Sequence, residues 1–486
     1  MPEYKLFAQR VGLVGVTNFI VGLRGLILIP ILTKTLGVSG YGIWSLIIVT
    51  ISLAMPLAML GLPQAMVRFL APEKDKKEIQ EGFFSVSFTV LSFGLVLSLI
   101  LFALSDFFAL IIIKDISIAP IIRIAAFVIT LTAIDQTILS FFTAFRQMKK
   151  YSLFVISQNF IEVALIAYTV LSGFGISGAV IGLLTSRAIL LAIMLPYIVS
   201  RIGFKLPNFS RLKSYLSFGL PMVPTTIFAW IIHSSDRYMI GSFMGSVPVG
   251  IYSAAYGIGF VIHMFINPVG IVLFPTVSKL WDEEKIAEFK THLRYSLKYF
   301  LMLAIPSLFG LSVLAKELLL ILSTSEFVSG AILIPFVASG LILYGAYNTF
   351  HYVLTSAKRT DLLAISLGTA SVVNIALNIL FIPIIGILGA AIATSITYTS
   401  VGIIVPFLSR RYLKFEIDWI FIVKSVVASL IMASLILIFN PRGLLEVIIA
   451  TGGGGLIYFA ILSLLRSFNK EEIKVFKDSL HIRRYN

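Results

Sequence analysis

The sequence predicts an all-α integral membrane protein. It has fourteen transmembrane helices in two six-helix lobes, related by an axis along the membrane normal, plus two C-terminal helices. Three observations predict this. Of the 486 residues, 58% are hydrophobic and 13% charged, whereas soluble domains carry about 25% charged residues. Apolar runs close to the ~20 residues that cross a bilayer core recur along the whole chain. Short motifs also recur at an offset of roughly 210 residues, the mark of an internal repeat.

The apolar runs lie near 8–34, 41–66, 83–104, 118–144, 152–171, 177–202, 216–243, 249–280, 295–322, 330–356, 362–382, 386–411, 419–439 and 443–466. The first begins directly after Gln9 and Arg10 with no small-residue cleavage site, so it reads as a span and not a removable signal. An even count puts both termini on one side. Of the 38 Lys and Arg residues, 29 fall in the terminal segments and the loops after even-numbered spans. The opposite loops hold only Lys34, Lys114, Lys316 and Arg442. The positive-inside rule therefore places both termini in the cytoplasm. Lys424 sits close enough to the inner end of its span to snorkel.

The outer loops, such as 173–177 and 383–386, are bare turns, so function is expected within the membrane. The longer inner links 67–82 and 281–294 carry mixed charges at helical spacing and predict amphipathic interfacial helices. The repeat pairs Gly37 through Gly42-Ile43-Trp44-Ser45 with Gly245 through Gly250-Ile251-Tyr252-Ser253. It also pairs Gly175-Ile176-Ser177-Gly178-Ala179 with Gly386-Ile387-Leu388-Gly389-Ala390, and Thr143-Ala144-Phe145-Arg146 with Thr355-Ser356-Ala357-Lys358. Six spans per unit is an even number, so both units share one orientation, as in transporters whose substrate site lies between halves. The expected domains are an N-terminal lobe (1–213), a C-terminal lobe (214–414), extra helices (415–466) and a cytoplasmic tail (467–486).

Several chemistries are excluded. The formal charge of +15 is spread along membrane rims, which argues against a nucleic-acid partner. There is no cysteine, hence no disulfide and no thiolate metal site. The five histidines show no H-E-x-x-H spacing, so neither metal nor cofactor is expected. No G-x-x-x-x-G-K-[ST] exists, so ATP hydrolysis is not expected. Gly452 to Gly455, inside the last span, reads as a packing or kink feature.

Charges inside the spans are the candidate site. A mid-membrane charge costs about 3 kcal/mol on the mildest scales and persists facing a protein interior or a wet cavity. In span 1, Arg10, Thr17 and Arg24 follow at steps of seven, beside Gly15, Asn18, Gly22 and Gly25, making one polar, small-residue face. Arg24 suits phosphate through its fork of donors. It also suits a buried structural pair with Asp135, Glu162 or Asp236. In span 7, Thr226, Trp230, His233 and Arg237 form a stripe. Asp236 and Arg237 project about 100° apart on a helix and need not neutralise each other. Arg123, near an outer span end, and Arg187, in mid-span 6, are further substrate candidates. Asp135, Glu162 and Asp236 are candidate ion-coupling carboxylates. Glu162 shares a face with Gln158 and Asn159, and its repeat partner is Asn374 beside Asn378.

The stretches Leu36-Gly37 to Tyr41-Gly42, Ser235-Asp236-Arg237-Tyr238-Met239-Ile240-Gly241 and Val249-Gly250-Ile251-Tyr252-Ser253-Ala254-Ala255 carry a resemblance. They resemble the polysaccharide-transporter (Wzx-like O-antigen flippase) branch of the multidrug/oligosaccharidyl-lipid/polysaccharide exporter superfamily. The resemblance covers essentially the whole chain. It implies a non-enzymatic flippase that carries a lipid-linked oligosaccharide to the outer leaflet by alternating access. Spans 1, 2, 7 and 8 would line a cationic cavity. The implied partners are that substrate, membrane lipids, and glycosyltransferases or a polymerase of the same pathway, with the chain itself a monomer. The alternative within the superfamily is a cation-coupled multidrug antiporter working through Asp135, Glu162 or Asp236. A membrane-embedded glycosyltransferase would need large loops or a carboxylate–metal site, which the sequence lacks.

Overall fold

The structure, a computed structural model, describes residues 2–414 and 416–468, apart from the side chains of 2–12, 14, 18, 19, 267–272, 274 and 275. The candidate Asn18 side chain and the expected tail beyond 468 lie outside the described residues. Helices account for the described architecture. The first part contains α1 (Pro2–Met59), α2 (Leu62–Leu70), α3 (Lys76–Ala103), α4 (Ser105–Phe108), α5 (Ala119–Ala144), α6 (Met148–Thr169) and α7 (Gly175–Ile202). The middle contains α8 (Leu212–Gly219), α9 (Met222–Met244), α10 (Ser246–Gly259), α11 (Ile266–Asp282), α12 (Ile286–Val313) and α13 (Ala315–Leu322). There follow α14 (Leu333–Ser356), α15 (Thr360–Ile385), α16 (Ile387–Ser409), α17 (Trp419–Phe439) and α18 (Gly443–Leu464).

Among the described residues, eleven helices are long and apolar enough to cross a membrane, or twelve if the bent pair Phe209–Gly219 and Met222–Met244 is one span. Two of the eleven are far longer than the ~20 residues of one crossing: Gly15–Met59 has 45 residues and Met148–Ile202 has 55. Both are broken by glycines. Gly37 sits at φ 68, ψ −176 inside α1, and Gly175 at φ 55, ψ −140 before α7. A side chain is strongly disfavoured in such a conformation, which is why glycine stands there.

The repeat motifs carry matching backbone. Gly245 has φ 85, ψ −172, close to Gly37. Gly386 has φ 63, ψ −144, close to Gly175. Arg146 and Lys358, the last residues of the third motif pair, both turn left-handed at φ 53 and φ 57.

The inner links differ from expectation. Residues 67–82 and 281–294 form no separate interfacial helices. They are the ends of α2, α3, α11 and α12 with short turns between. Asp75 starts α3 by capping it, accepting from Lys77 N at 2.9 Å, which satisfies one of the N–H groups a helix start leaves unpaired. The charges serve tertiary contacts: Glu78 takes a fork of two 2.7 Å bonds from Arg211, and Glu81 binds Lys205 at 2.6 Å. Two short amphipathic helices, α2 and α8, pack together here, and α8 is bent 46° from α9.

Outward faces are apolar, with Ile438 and Leu464 about four-fifths exposed, the reverse of a soluble protein and suited to lipid. Polar groups turn inward, among them Asp135, Glu162, Asp236, Asn374 and Asn378. The C-terminal pair joins α12: Tyr458 bonds Ser425 at 2.7 Å and donates to Met302 O at 2.9 Å. The glycine run 452–455 makes no kink, since α18 passes through it unbroken. Only Gly454 packs closely, against Ile436; a Cβ on the other three would meet open space.

Candidate functional site

The long helix α1 packs against α10 and α9, and the space beside that seam holds two cavities. The larger, about 700 Å3, is lined by Arg24, Gly25, Tyr41, Trp44, Glu162, Gly257, Phe260 and His263, with apolar residues of α1 between them. The smaller, about 330 Å3, shares Tyr41, Trp44, Gly257 and Phe260, and adds Ser45, Ser52, His233, Arg237 and Tyr256. The linings thus come mainly from α1, α9, α10 and the turn 260–265.

Arg24 and Arg237 reach these cavities in different states. Arg24 leaves 36% of its side chain exposed. Its 2.9 Å bond to Glu162 Oε1 uses one of the five N–H donors a guanidinium carries. Glu162 is nearly inaccessible and also accepts from Arg187 Nη2 at 2.7 Å. One carboxylate therefore bridges two cations, from α1 and α7. Arg24 thus pairs with Glu162 while lining the cavity.

Arg237 is 8% exposed and paired within its own helix. It donates to Asp236 Oδ1 at 3.0 Å and to His233 O at 2.7 Å, and its guanidinium carbon lies 4.2 Å from the Tyr256 ring centroid. The sequence neighbours Asp236 and Arg237 do neutralise each other, against the expectation from their 100° separation. The long arginine chain folds back, because two buried charges left apart would each cost far more than the bend. Asp236 also accepts from the Tyr252 hydroxyl and from Thr394 Oγ1.

The two arginines stand at unequal depths. Arg24 lies thirteen residues before the Gly37 break, and Arg237 eight before Gly245, an axial difference of about 7.5 Å at 1.5 Å per residue. The triad nevertheless has a neutral counterpart. Asn374, the repeat partner of Glu162, touches Ser235 Oγ of α9 at 3.3 Å and Thr397 Oγ1 of α16 at 3.1 Å. Asn378 closes this amide cluster by donating to Asn374 Oδ1.

The other candidates separate. Arg187 sits behind Glu162, away from the cavity surface. Arg123 lines neither cavity; it bonds Asp106 at 2.7 Å and Ser105 at 2.9 Å near the start of α5. His233 pairs with the Tyr398 hydroxyl and packs edge-on to Tyr344 at 4.9 Å. Asp135 is fully buried, faces Arg187 and Gln158, and neither carboxyl oxygen finds a hydrogen bond among the described residues. Of the span 1 glycines, Gly22 packs against Met264 while Gly25 opens to the cavity. Thr17 turns back to Leu13 O.

Sequence reading missed the aromatic wall. Tyr252, Tyr256, Phe260 and His263 succeed one another at helical spacing through α10 and its continuation, with Phe260 stacked on His263 at 4.6 Å. Tyr41 and Trp44 oppose them from α1. The spacing at 252, 256 and 260 was the available signal.

This helix arrangement defines a multi-pass membrane fold. It resembles the structure titled lipid II flippase MurJ, inward closed conformation, with a TM-score of 0.77 and 20% identity over 95% of this chain and 98% of that one. A family model described as polysaccharide biosynthesis protein matches residues 7–281, and the chain belongs to that family. A second model, MatE, matches 221–380. Two similar curated proteins come from Haloferax volcanii. The probable low-salt glycan biosynthesis flippase Agl15 is 25% identical over 56% of this chain and 58% of its own length. The probable flippase AglR is 27% identical over 68% and 69%. The chain thus spans little more than half of the first relative.

Proposed function

We propose that the protein flips a lipid-linked oligosaccharide, carried on a polyprenyl or dolichyl phosphate or pyrophosphate, to the outer leaflet for surface-polysaccharide or glycoprotein assembly. The observation that carries this reading is Arg24: a guanidinium partly open to a cavity of about 700 Å3 within an apolar helix. Burying a phosphate alone is prohibitive, and a cation with unused donors compensates it. Trp44, Tyr41 and Phe260 offer flat faces to sugar rings, and the similar proteins named as flippases favour the same cargo class. The chain is a transporter and not an enzyme.

In this reading α1 and the segment 148–202 each cross twice, and α10 with α11 crosses once, which restores fourteen spans. The lobes 1–213 and 214–414 are related by an axis along the membrane normal, 415–466 adds two helices, and both termini are cytoplasmic. Arg24 makes the first contact with the anion, with Asn18 on the same face. Arg237 and His233 become available when the second lobe rearranges and the Asp236 pair opens. Arg187 tunes Arg24 through Glu162, and Arg123 serves at the rim. Asp135, Glu162 and Asp236 are the groups through which an ion gradient would act. Glycosyltransferases or a polymerase of the same pathway supply or consume the cargo, and the unit is a monomer.

The MatE match over 221–380 supports a second reading, a cation-coupled drug antiporter. It is the weaker one, because Glu162 and Asp236 are already neutralised by arginine and Asp135 lines neither cavity. The deciding experiment reconstitutes the protein in vesicles with a fluorescent polyprenyl-pyrophosphate glycan and follows its appearance in the opposite leaflet. Arg24→Ala should abolish flipping at normal membrane abundance and Arg24→Lys should retain part of it. Full activity of Arg24→Ala, or efflux of cationic dyes that survives it, would overturn the flippase reading.

A further inference from the structure

The repeat has one position where the sign of the charge is reversed. The motif pair that ends in Arg146 and Lys358 aligns Lys149 with Asp361. In the second copy Arg359 lies over the Tyr412 ring at 5.6 Å and binds Asp361 at 2.7 Å, so that turn brings a carboxylate to its own cation. In the first copy the turn between α5 and α6 reads Arg146-Gln147-Met148-Lys149-Lys150 and holds no acid.

Tyr197 of α7 gathers the cations of this first copy. Its ring packs against Phe142 of α5 and Phe154 of α6 at 6.2 and 6.0 Å, which fixes it where the three helices meet. Lys150 Nζ lies 5.2 Å from the ring centroid and the Arg201 guanidinium carbon 5.6 Å. Two like charges on one ring repel each other, and the attraction of the ring face offsets only part of that. Among the described residues no carboxylate pairs with Arg146, Lys149, Lys150 or Arg201. Glu81, on the helix that meets the end of α7 through Gln80 and Ile202 O, is already held by Lys205. An anion from outside the chain is what the arrangement lacks.

The flanks of the cluster choose the kind of anion. Leu153, one turn along α6 from Lys149, is 62% exposed, and Phe204 and Leu206, just past Arg201, are 68% and 73% exposed. Phe204 and Leu206 alternate with Lys205, which turns inward to Glu81. Large apolar side chains beside cations at the ends of spanning helices belong to the level where hydrocarbon gives way to headgroups. An acidic peptide would leave these apolar groups in water, whereas a lipid covers them with its tails and brings its phosphate to the cations.

We propose that Lys149, Lys150 and Arg201 bind the phosphate of an anionic membrane lipid, which takes the part that Asp361 plays in the second copy of the repeat. The lipid ties the α5–α6 turn to the end of α7. None of the three cations lines the central cavities, so the site stands whether or not the chain flips an oligosaccharide. The test titrates the full chain in uncharged detergent with phosphatidylglycerol or phosphatidylcholine and follows the tightest binding step by native mass spectrometry. Phosphatidylglycerol should bind and phosphatidylcholine should not. Lys150→Gln with Arg201→Gln should weaken that step about 25-fold, from about fivefold for each cation near an anionic headgroup. Lys149→Asp grafts the acid of the second copy onto the first and, by swinging two charges, should weaken it by about the same factor. The control Lys76→Asp makes the same change at an exposed lysine at the start of α3 and should bind as the wild type does. Equal weakening in that control, or unaltered binding in Lys149→Asp, would show diffuse surface attraction and overturn the site. Displacement of the lipid by inorganic phosphate, or by polyglutamate, at the same concentration of charge would overturn the lipid assignment in favour of a soluble anion or an acidic protein partner.

Discussion

Ser45 Oγ lies 2.7 Å from Ser253 Oγ, and the two residues occupy the same place in the repeated motif. Beside them Ser39 meets Ser246 at 2.8 Å. A Cβ on Gly42 would lie 1.9 Å from Ser246 O, and one on Gly250 2.1 Å from Val38 O. These contacts are reciprocal: each motif offers the same surface to its copy, as in an isologous interface. A residue that meets its own counterpart must lie at the axis relating the halves. The contacts therefore support the proposed symmetry and close the seam at the end whose loops are poor in Lys and Arg.

Locking that seam should stop transport. The chain contains no cysteine, so Ser39→Cys with Ser246→Cys introduces one defined pair. Oxidation should crosslink the halves and arrest flipping in vesicles, and a reductant should restore it. Undiminished transport by the fully crosslinked protein would show that the seam does not open during the cycle.

The glycine breaks separate backbone strain from crowding. A Cβ at Gly37 or Gly245 meets nothing within 4 Å, so Gly37→Ala or Gly245→Ala should destabilise through dihedral strain alone, by about 1–3 kcal/mol. Gly452→Ala, also unobstructed but inside regular helix, should instead stabilise by about 0.5–1 kcal/mol. Thermal unfolding in detergent reads both signs, and equal shifts would contradict the backbone argument.

Hydropathy and glycine placement made most of the fold legible, because lipid leaves a spanning helix few alternatives. The Gly37/Gly245 and Gly175/Gly386 pairs were readable as repeats, since only glycine suits their dihedrals. The choice of Glu162 as Arg24's partner was less legible. Sequence named three carboxylates, and only the crossing of α1, α6 and α7 selects among them. The Asp236–Arg237 pair was misjudged because helix periodicity tracks Cβ directions and ignores how far an arginine can fold back.

Asp236→Asn should be among the most destabilising substitutions in the second half. It removes the charge facing Arg237 and weakens the acceptor for Tyr252 and Thr394. Removing one partner of a buried ion pair costs about 3–5 kcal/mol. Replacing both, as Asp236→Asn with Arg237→Met, should recover much of that loss, measured by thermal unfolding. A double variant no more stable than Asp236→Asn would mean that the uncompensated charge is not the main cost.

Glu162 sets how tightly Arg24 can hold anything else. It is the anion already bound to Arg24 and Arg187, so an incoming phosphate must compete with it. Glu162→Gln leaves two cations facing an amide in a nearly dry position and should destabilise the empty protein by about 3 kcal/mol or more. Arg24→Gln leaves Glu162 paired with Arg187. Because Arg24 is over one-third exposed, that change should cost no more than about 1 kcal/mol. Adding pyrophosphate should then raise the melting temperature of Glu162→Gln more than that of the wild type. The gain should vanish in the double variant Arg24→Gln with Glu162→Gln. If Arg24→Gln proves as damaging as Glu162→Gln and pyrophosphate shifts neither, Arg24 is a structural pin and the anion must be held elsewhere.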